Sequence, residues 1–246
     1  MIKEIVINSA VRLGIDDQLR IMCAPLFPTL KRDRIDNHNL RLLLAFALRE
    51  DSNCIDIGAH KGASLAEMIR VAPLGKHIAY EPLPFLYKQL VDHFPSVDVR
   101  QAAASNELGE TSFTYVRNLP TMSGFRERTY PMRPQIEKMK VRTETLDDSL
   151  PSGYVPTLIK IDVEGAERLV IEGAIETISK HKPIVVFEHG IKAANHYNTQ
   201  PRQVYELLHC EAGLRIFDLD GNGPLTLDQF REAFANNTHW NFVARP

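Results

Sequence analysis

The stretch Asn53-Cys54-Ile55-Asp56-Ile57-Gly58-Ala59-His60-Lys61-Gly62 decides how this chain is read. It has the pattern of a buried strand that runs into an Asp-x-Gly-x-x-x-Gly turn and then into a helix from about Ala63 to Arg70. Glycine at both turn positions lets the backbone fold tightly and approach a ligand closely. The spacing differs from the Gly-x-Gly-x-x-Gly fingerprint that seats a pyrophosphate. Taken alone, the motif also fits an ordinary strand–turn–helix corner, so the neighbouring segments decide between the two.

The next strand, His77-Ile78-Ala79-Tyr80-Glu81-Pro82, ends in an acid. Glu81 follows Asp56 by 25 positions, near the offset of about 20 at which an acid meets a ribose in wound α/β folds. A carboxylate there can accept both ribose hydroxyls, and Pro82 stops the strand. A glycine turn without pyrophosphate spacing, with an acid on each of two successive strands, suits S-adenosylmethionine. Its charged amino-acid end would lie near Asp56 and its ribose on Glu81.

A third segment, Thr157-Leu158-Ile159-Lys160-Ile161-Asp162-Val163-Glu164-Gly165-Ala166-Glu167, is an apolar strand that ends in three acids around a glycine. An amphipathic helix from Arg168 to Ser179 follows. With this run in place, the chain resembles the FkbM-type S-adenosylmethionine-dependent methyltransferases. The matching pieces are Asp56 to Gly62, Tyr80-Glu81-Pro82, Thr145-Leu146-Asp147-Asp148, Lys160 to Glu167 and Phe187-Glu188. They stand in the family's order over roughly residues 35 to 246. The family often has Asn where His60 stands.

The resemblance implies an α/β, Rossmann-like class I methyltransferase fold. This is a mostly parallel seven-stranded sheet with an antiparallel terminal hairpin, preceded by a helical N-terminal extension over residues 1–50. The methyltransferase domain would span 51–246. It also implies O-methylation of a small hydroxylated acceptor, with sugars, glycolipids and other glycosides the favoured class. Expected cofactor contacts are Asp56, Gly58, Ala59, Gly62, Glu81, Pro82, Ala103 and Asp162. A hydroxyl acceptor needs its proton removed, and wound sheets bind ligands at the carboxyl ends of their strands. The candidates there are Glu164, Glu188 and His189, with His189 nearest in ordinary pKa to a neutral-pH base. His38 and His60 are further candidates from the opposite wall. A non-catalytic binding protein on the same fold and a nicotinamide-dependent oxidoreductase are the alternatives, and the Gly58–Gly62 spacing argues against the second.

The rest of the chain fits a wound sheet. A helix from about Phe85 to His93 precedes a third strand, Val97 to Ala104. Its small residues Ala102 to Ala104 offer either a flat wall for adenine or tight core packing. Residues 107–142 form the least regular stretch, with a short hairpin signal at Asn106 to Glu110. A fifth strand spans Pro183 to Glu188, a helix Pro201 to Cys210, and the last two strands Leu214 to Phe217 and Asn241 to Arg245. Before the glycine turn, an apolar-rich segment runs from Ile2 to Ile15 and a second helix from about Asn37 to Glu50. This extension offers a packed accessory helix, a lid, a homo-oligomer contact or a membrane-surface helix.

Asp218-Leu219-Asp220-Gly221-Asn222-Gly223-Pro224-Leu225-Thr226-Leu227-Asp228-Gln229 nearly spells a calcium loop. Gln229 stands where the closing acid belongs, and Pro224 occupies a position that should offer a flexible carbonyl. A turn is expected there and no metal. In composition, 246 residues with 44% apolar content can bury one large core. The formal charge of −2 gives no general pull toward nucleic acid. Cys23, Cys54 and Cys210 form neither a disulfide framework nor a zinc pattern, which points to a reducing, cytoplasmic setting. No segment reads as a signal peptide, and none approaches the roughly 18 apolar residues of a membrane span.

Overall fold

The structure is a computed structural model and describes residues 28–246. The expected segment from Ile2 to Ile15 and Cys23 lie outside the described residues. Strand β1 (Cys54–Ile57) is buried along its whole length. It pairs in parallel with β2 (Ile78–Tyr80) on one side and β7 (Leu158–Ile161) on the other. A strand covered on both faces reads as a continuous apolar run, which is why Cys54-Ile55-x-Ile57 is legible as sequence.

The main sheet has seven strands in the order β3-β2-β1-β7-β8-β10-β9. Here β3 is Asp98–Arg100, β8 Ile184–Glu188, β9 Arg215–Asp218 and β10 Asn241–Arg245. All pairings are parallel except those of β10, which runs antiparallel to both β8 and β9. The chain winds outward from β1 through β2 to β3, then returns beside β1 as β7. The carboxyl ends of β1 and β7 therefore part at the reversal of strand order, where wound sheets bind ligands.

Side chains alternate across the sheet and build two core layers. On one face, Ile55, Ile57, Ile159, Ile161, Val185 and Phe187 pack under the helices that follow β7 and under those near the carboxyl end of the chain. On the other, Cys54, Leu158, Val186, Phe217 and Val243 meet Leu40, Leu44 and Leu48. These last three lie on or just past helix α1 (Pro28–Ala47), which starts earlier than the sequence indicates. Met68 and Ala72 of and beside α2 (Ala63–Val71) complete that layer. Cys54 is thus a buried small apolar residue.

Several elements differ from expectation. The third strand divides: β3 stays in the main sheet, while β4 (Ala103–Ala104) pairs with β6 (Ile136–Glu144) in a second sheet. Residues 107–142 are an arm, with β5 (Gly109–Val116) antiparallel to β6 through eight residue pairs. Phe113 and Val141 of this arm pack on Leu83, Leu86 and Ala103, which seats the arm beside α3 (Pro84–His93).

The helix after β7 also divides, into α5 (Glu167–Glu172) and α6 (Ile175–His181). At the break, a side chain on Gly173 would put its first carbon 2.0 Å from the Ser105 carbonyl oxygen. The Asp147 carboxylate accepts hydrogen bonds from the Glu176 and Thr177 amides, 3.1 and 2.8 Å, and so caps α6. Thr145 caps the short helix α4 (Leu146–Ser149). The Thr145-Leu146-Asp147-Asp148 motif is therefore helix-capping chemistry.

The calcium-like segment is a turn followed by a helix that the sequence reading did not anticipate. Asp218 closes the turn on Asn222 through its amide and side chain, 2.8 and 2.9 Å. Gln229 joins Thr226 in a capping box at the start of α9 (Leu227–Asn236). Among the described residues, Asp218, Asp220 and His239 are the one group with metal-ligand spacing. The Arg32 guanidinium of α1 already lies against both Asp220 oxygens at 2.6 and 2.7 Å. An internal cation therefore occupies this acid.

Candidate functional site

The turn after β1 is shaped by its glycines and held from β2. The Gly58 and Ala59 amides both donate to the Tyr80 carbonyl, at 3.0 and 3.1 Å. Gly58 has φ +79°, and a side chain there would meet the Asp162 carbonyl at 2.0 Å. This glycine lets the ends of β1 and β7 touch. Gly62, also left-handed at φ +80°, starts α2 and packs on Phe94 and Leu90.

A cavity of about 210 Å³ opens at this point. Gly58, His60, Glu81 and Pro82 line one side, and Asp162, Val163 and Glu164 the other. Ala102 to Ala104 with Leu83 and Leu86 form an apolar end. Phe113, Ser123, Gly124 and Phe125 of the arm close the cavity from above.

Glu81 is only 4% exposed. One carboxylate oxygen accepts from the His60 amide and the other from the Leu83 amide, both at 2.9 Å. Burial outweighs these bonds and raises its pKa to about 7. The carboxylate is fixed against the glycine turn, and each oxygen keeps acceptor capacity for a ligand.

The Lys160-to-Glu167 run divides its work residue by residue. The Lys160 ammonium lies 3.1 Å from Asp162 and 3.5 Å from Asp56. Burial disfavours its charge, but the two acids hold its pKa above the ordinary value. Burial also acts against Asp162, yet Lys160 keeps that carboxyl below its usual range. Asp56 is raised by complete burial, and neither of its oxygens carries a hydrogen bond.

Glu164 adopts a left-handed backbone, φ +59°, and forms a 2.6 Å ion pair with Arg128 of the arm. Burial nonetheless lifts its pKa to about 7. Glu167 is buried and accepts from the Val163 and Gly165 amides at 3.2 and 2.9 Å. Burial raises it to about 8. It shapes the loop that presents Asp162 and Glu164 and does not line the cavity itself.

Of the expected site residues, Gly58, Glu81, Pro82, Ala103, Asp162 and Glu164 line the cavity. Ala59, with its amide on Tyr80, and Gly62, packed on α3, lie off it. Asp56 is buried outside the lining, with the Lys160 ammonium beside it. Glu188 stands beside Asp162 outside the lining, and burial with that neighbour raises its pKa well above the ordinary value.

The catalytic expectation for His189 needs correction. Its ring is fully buried and stacks on Phe230 and Phe234 with centroids 5.6 and 4.8 Å away. Neither ring nitrogen has a hydrogen-bond partner, and burial lowers the pKa to about 4. It therefore has no path to a proton in the cavity. Of the other two histidines, His60 lines the cavity and His38 does not.

Arg128 and Phe125 are site residues that the sequence reading left unsingled within the arm. The Phe125 amide donates to the Tyr197 hydroxyl at 3.0 Å, which pins the arm beside Glu164. The hairpin signal at Asn106 to Glu110, which falls at the start of β5, is the sequence hint that the arm is sheet.

The family model for the methyltransferase FkbM domain matches residues 56–216. The chain belongs to this family. Methyltransferase FkbM from Methylobacillus flagellatus shares 17% identity with it at a TM-score of 0.50, over 80% of this chain and 44% of that one. The present chain thus spans less than half the length of that relative, and the likeness is one of fold. An O-methyltransferase from Bacillus cereus, solved with SAH, is 14% identical at a TM-score of 0.46, over 83% and 77% of the two chains. No curated protein matches the chain at a significant level. No described helix is long and apolar enough to cross a membrane.

Proposed function

We propose that this chain is an S-adenosylmethionine-dependent O-methyltransferase acting on a hydroxyl of a small acceptor, with sugars and glycolipids the class that the family resemblance favours. The observation that carries this reading is Glu81. Its carboxylate is fixed at the end of β2 beside the Gly58 turn, across one cavity from Asp162 and Glu164.

The residues present fit such a cofactor. Glu81 has acceptor capacity for two ribose hydroxyls. Ala102 to Ala104, Leu83 and Leu86 give a flat apolar wall for an adenine. Asp162 and Glu164 set negative charge toward a sulfonium. The cofactor, when bound, supplies an activated methyl group on a good leaving group. The protein's task is then to align acceptor and donor, exclude water and accept one proton.

Glu164 is the best-placed proton acceptor. It lines the cavity, Arg128 orients it, and its pKa of about 7 suits general-base work near neutral pH. Glu167 and Lys160 position the groups that touch ligand. The arm, through Phe113 and Phe125, shields the cavity from solvent.

The test is methyl transfer from labelled S-adenosylmethionine, at saturating concentration, to a panel of glycosides and other hydroxylated acceptors. Turnover with a hydroxyl acceptor that falls by a factor of about 100 to 10,000 in Glu164→Gln supports the reading. Transfer to nitrogen acceptors only would contradict O-methylation.

A further inference from the structure

The carboxyls around the cavity outnumber the cations. Asp162 and Glu164 line the cavity, Asp56, Glu167 and Glu188 lie outside the lining, and the cations bonded to this group are Lys160 and Arg128. Lys160 serves Asp56 and Asp162, and Arg128 serves Glu164. Glu167 relies on backbone amides, and Glu188 has Asp162 for its neighbour. From the facing elements come Glu81 at the end of β2, His60 in the glycine turn and the Tyr197 hydroxyl beneath the arm. Carboxyls crowded in this way do not all ionise together, and they hold protons as a group.

We propose that Asp162 and Glu164 make this cavity read the charge of its ligand, so that binding the sulfonium form of the cofactor expels a proton and binding the neutral thioether product does not. The proposal rests on the cofactor reading above and adds a specificity to it. A positive sulfonium beside Glu164 favours its ionised form, and a group that favours ionisation on binding releases its proton. Asp162, held below its ordinary range by Lys160, adds negative charge and no proton. Once the methyl group is transferred, the charge disappears and Glu164 regains proton affinity. The balance closes: the acceptor oxygen bonds to the methyl carbon, the carbon–sulfur bond breaks with its electron pair kept by sulfur, and the proton of the acceptor hydroxyl passes to the carboxyl group. The spent cofactor then faces a partly protonated floor that no longer attracts it by charge.

The sign follows from Glu164. Below its pKa of about 7 the carboxyl is neutral, and sulfonium binding must first ionise it. Affinity for S-adenosylmethionine should therefore fall as pH drops from 8 to 6, by up to about tenfold per unit below the pKa. Affinity for S-adenosylhomocysteine should stay nearly flat. The two ligands share adenosine and the amino-acid end, so titrations common to both cancel in the ratio.

The experiment is calorimetry of the full chain with each ligand at pH 6, 7 and 8, in buffers of differing ionisation heat. An analogue with an amine-bearing carbon in place of the sulfonium serves as a second charged probe. Expected are proton release with both charged ligands, little with S-adenosylhomocysteine, and a charged-to-neutral affinity ratio that rises with pH. Glu164→Gln should flatten that ratio while keeping S-adenosylhomocysteine binding, which also reports that the variant is folded. Glu188→Gln, replacing a carboxyl that stands outside the lining, should change the ratio less than Glu164→Gln does. Equal proton counts and parallel pH profiles for the ligands would overturn the inference and leave the cofactor reading standing. Failure of every ligand to bind would overturn both.

Discussion

At the scale of the residue, the site depends on a few positions with no slack. Gly58 is the clearest, because its left-handed φ and the Asp162 carbonyl at 2.0 Å from a would-be side chain act together. Gly58→Ala should destabilise the protein by about 2–4 kcal/mol, since strain and a backbone clash fall on one atom. Chemical denaturation checks this, and a loss below about 0.5 kcal/mol would mean that the two strand ends part easily. Glycines at such turns are legible in sequence because no other residue suits them. The fate of His189 was not legible. Its ordinary pKa marks it as a base, but Phe230 and Phe234, one helical turn apart on α9, enclose its ring. That helix was hidden behind a segment that looks like a metal loop.

At the scale of the element, the arm is the part least readable from sequence and the most specific to this site. Strands β5 and β6 are joined by residues 117–135, and no two-residue turn announces the hairpin. Their outward positions are polar, so the alternation is faint. The strand–turn–helix units around β1, β2 and β7 were legible because their strands are buried on both faces. The arm is fastened over the cavity by the Phe125–Tyr197 hydrogen bond and the Arg128–Glu164 ion pair. Tyr197→Phe removes the acceptor for the Phe125 amide and should cost about 1 kcal/mol of local stability. Hydrogen exchange at Phe125 and its neighbours should accelerate about fivefold while the β1 and β7 amides stay protected. Unchanged exchange in the arm would show that this hydrogen bond does not hold it.

For the whole molecule, buried ionisable groups set the dependence of stability on pH. His189, lowered to about 4 by burial, is neutral in the fold and protonated in the unfolded chain below its ordinary pKa. It makes stability rise with pH from about 4 to 6.5. Glu81, Glu164 and Glu167, raised by burial to about 7, 7 and 8, act in the opposite sense. The fold holds their protons longer than the unfolded chain does, so their contribution is complete below pH 4 and is lost as pH climbs through 7 and 8. Without ligand, the melting temperature should fall between pH 6.5 and 8.5, and Glu167→Gln should flatten the decline. A melting temperature that rises over that range would mean that these carboxyls are ionised in the fold.

The central claim is that the Gly58–Glu81 cavity is a cofactor site, and titration calorimetry of wild type and Glu81→Ala with S-adenosylmethionine tests it most directly. The account predicts saturable binding by the wild type and no detectable affinity for a nicotinamide dinucleotide. Glu81→Ala should lose about 1.5–3 kcal/mol for each charge-assisted hydrogen bond removed, an affinity drop of at least tenfold. Equal affinity in the two proteins, or preference for the dinucleotide, would contradict it.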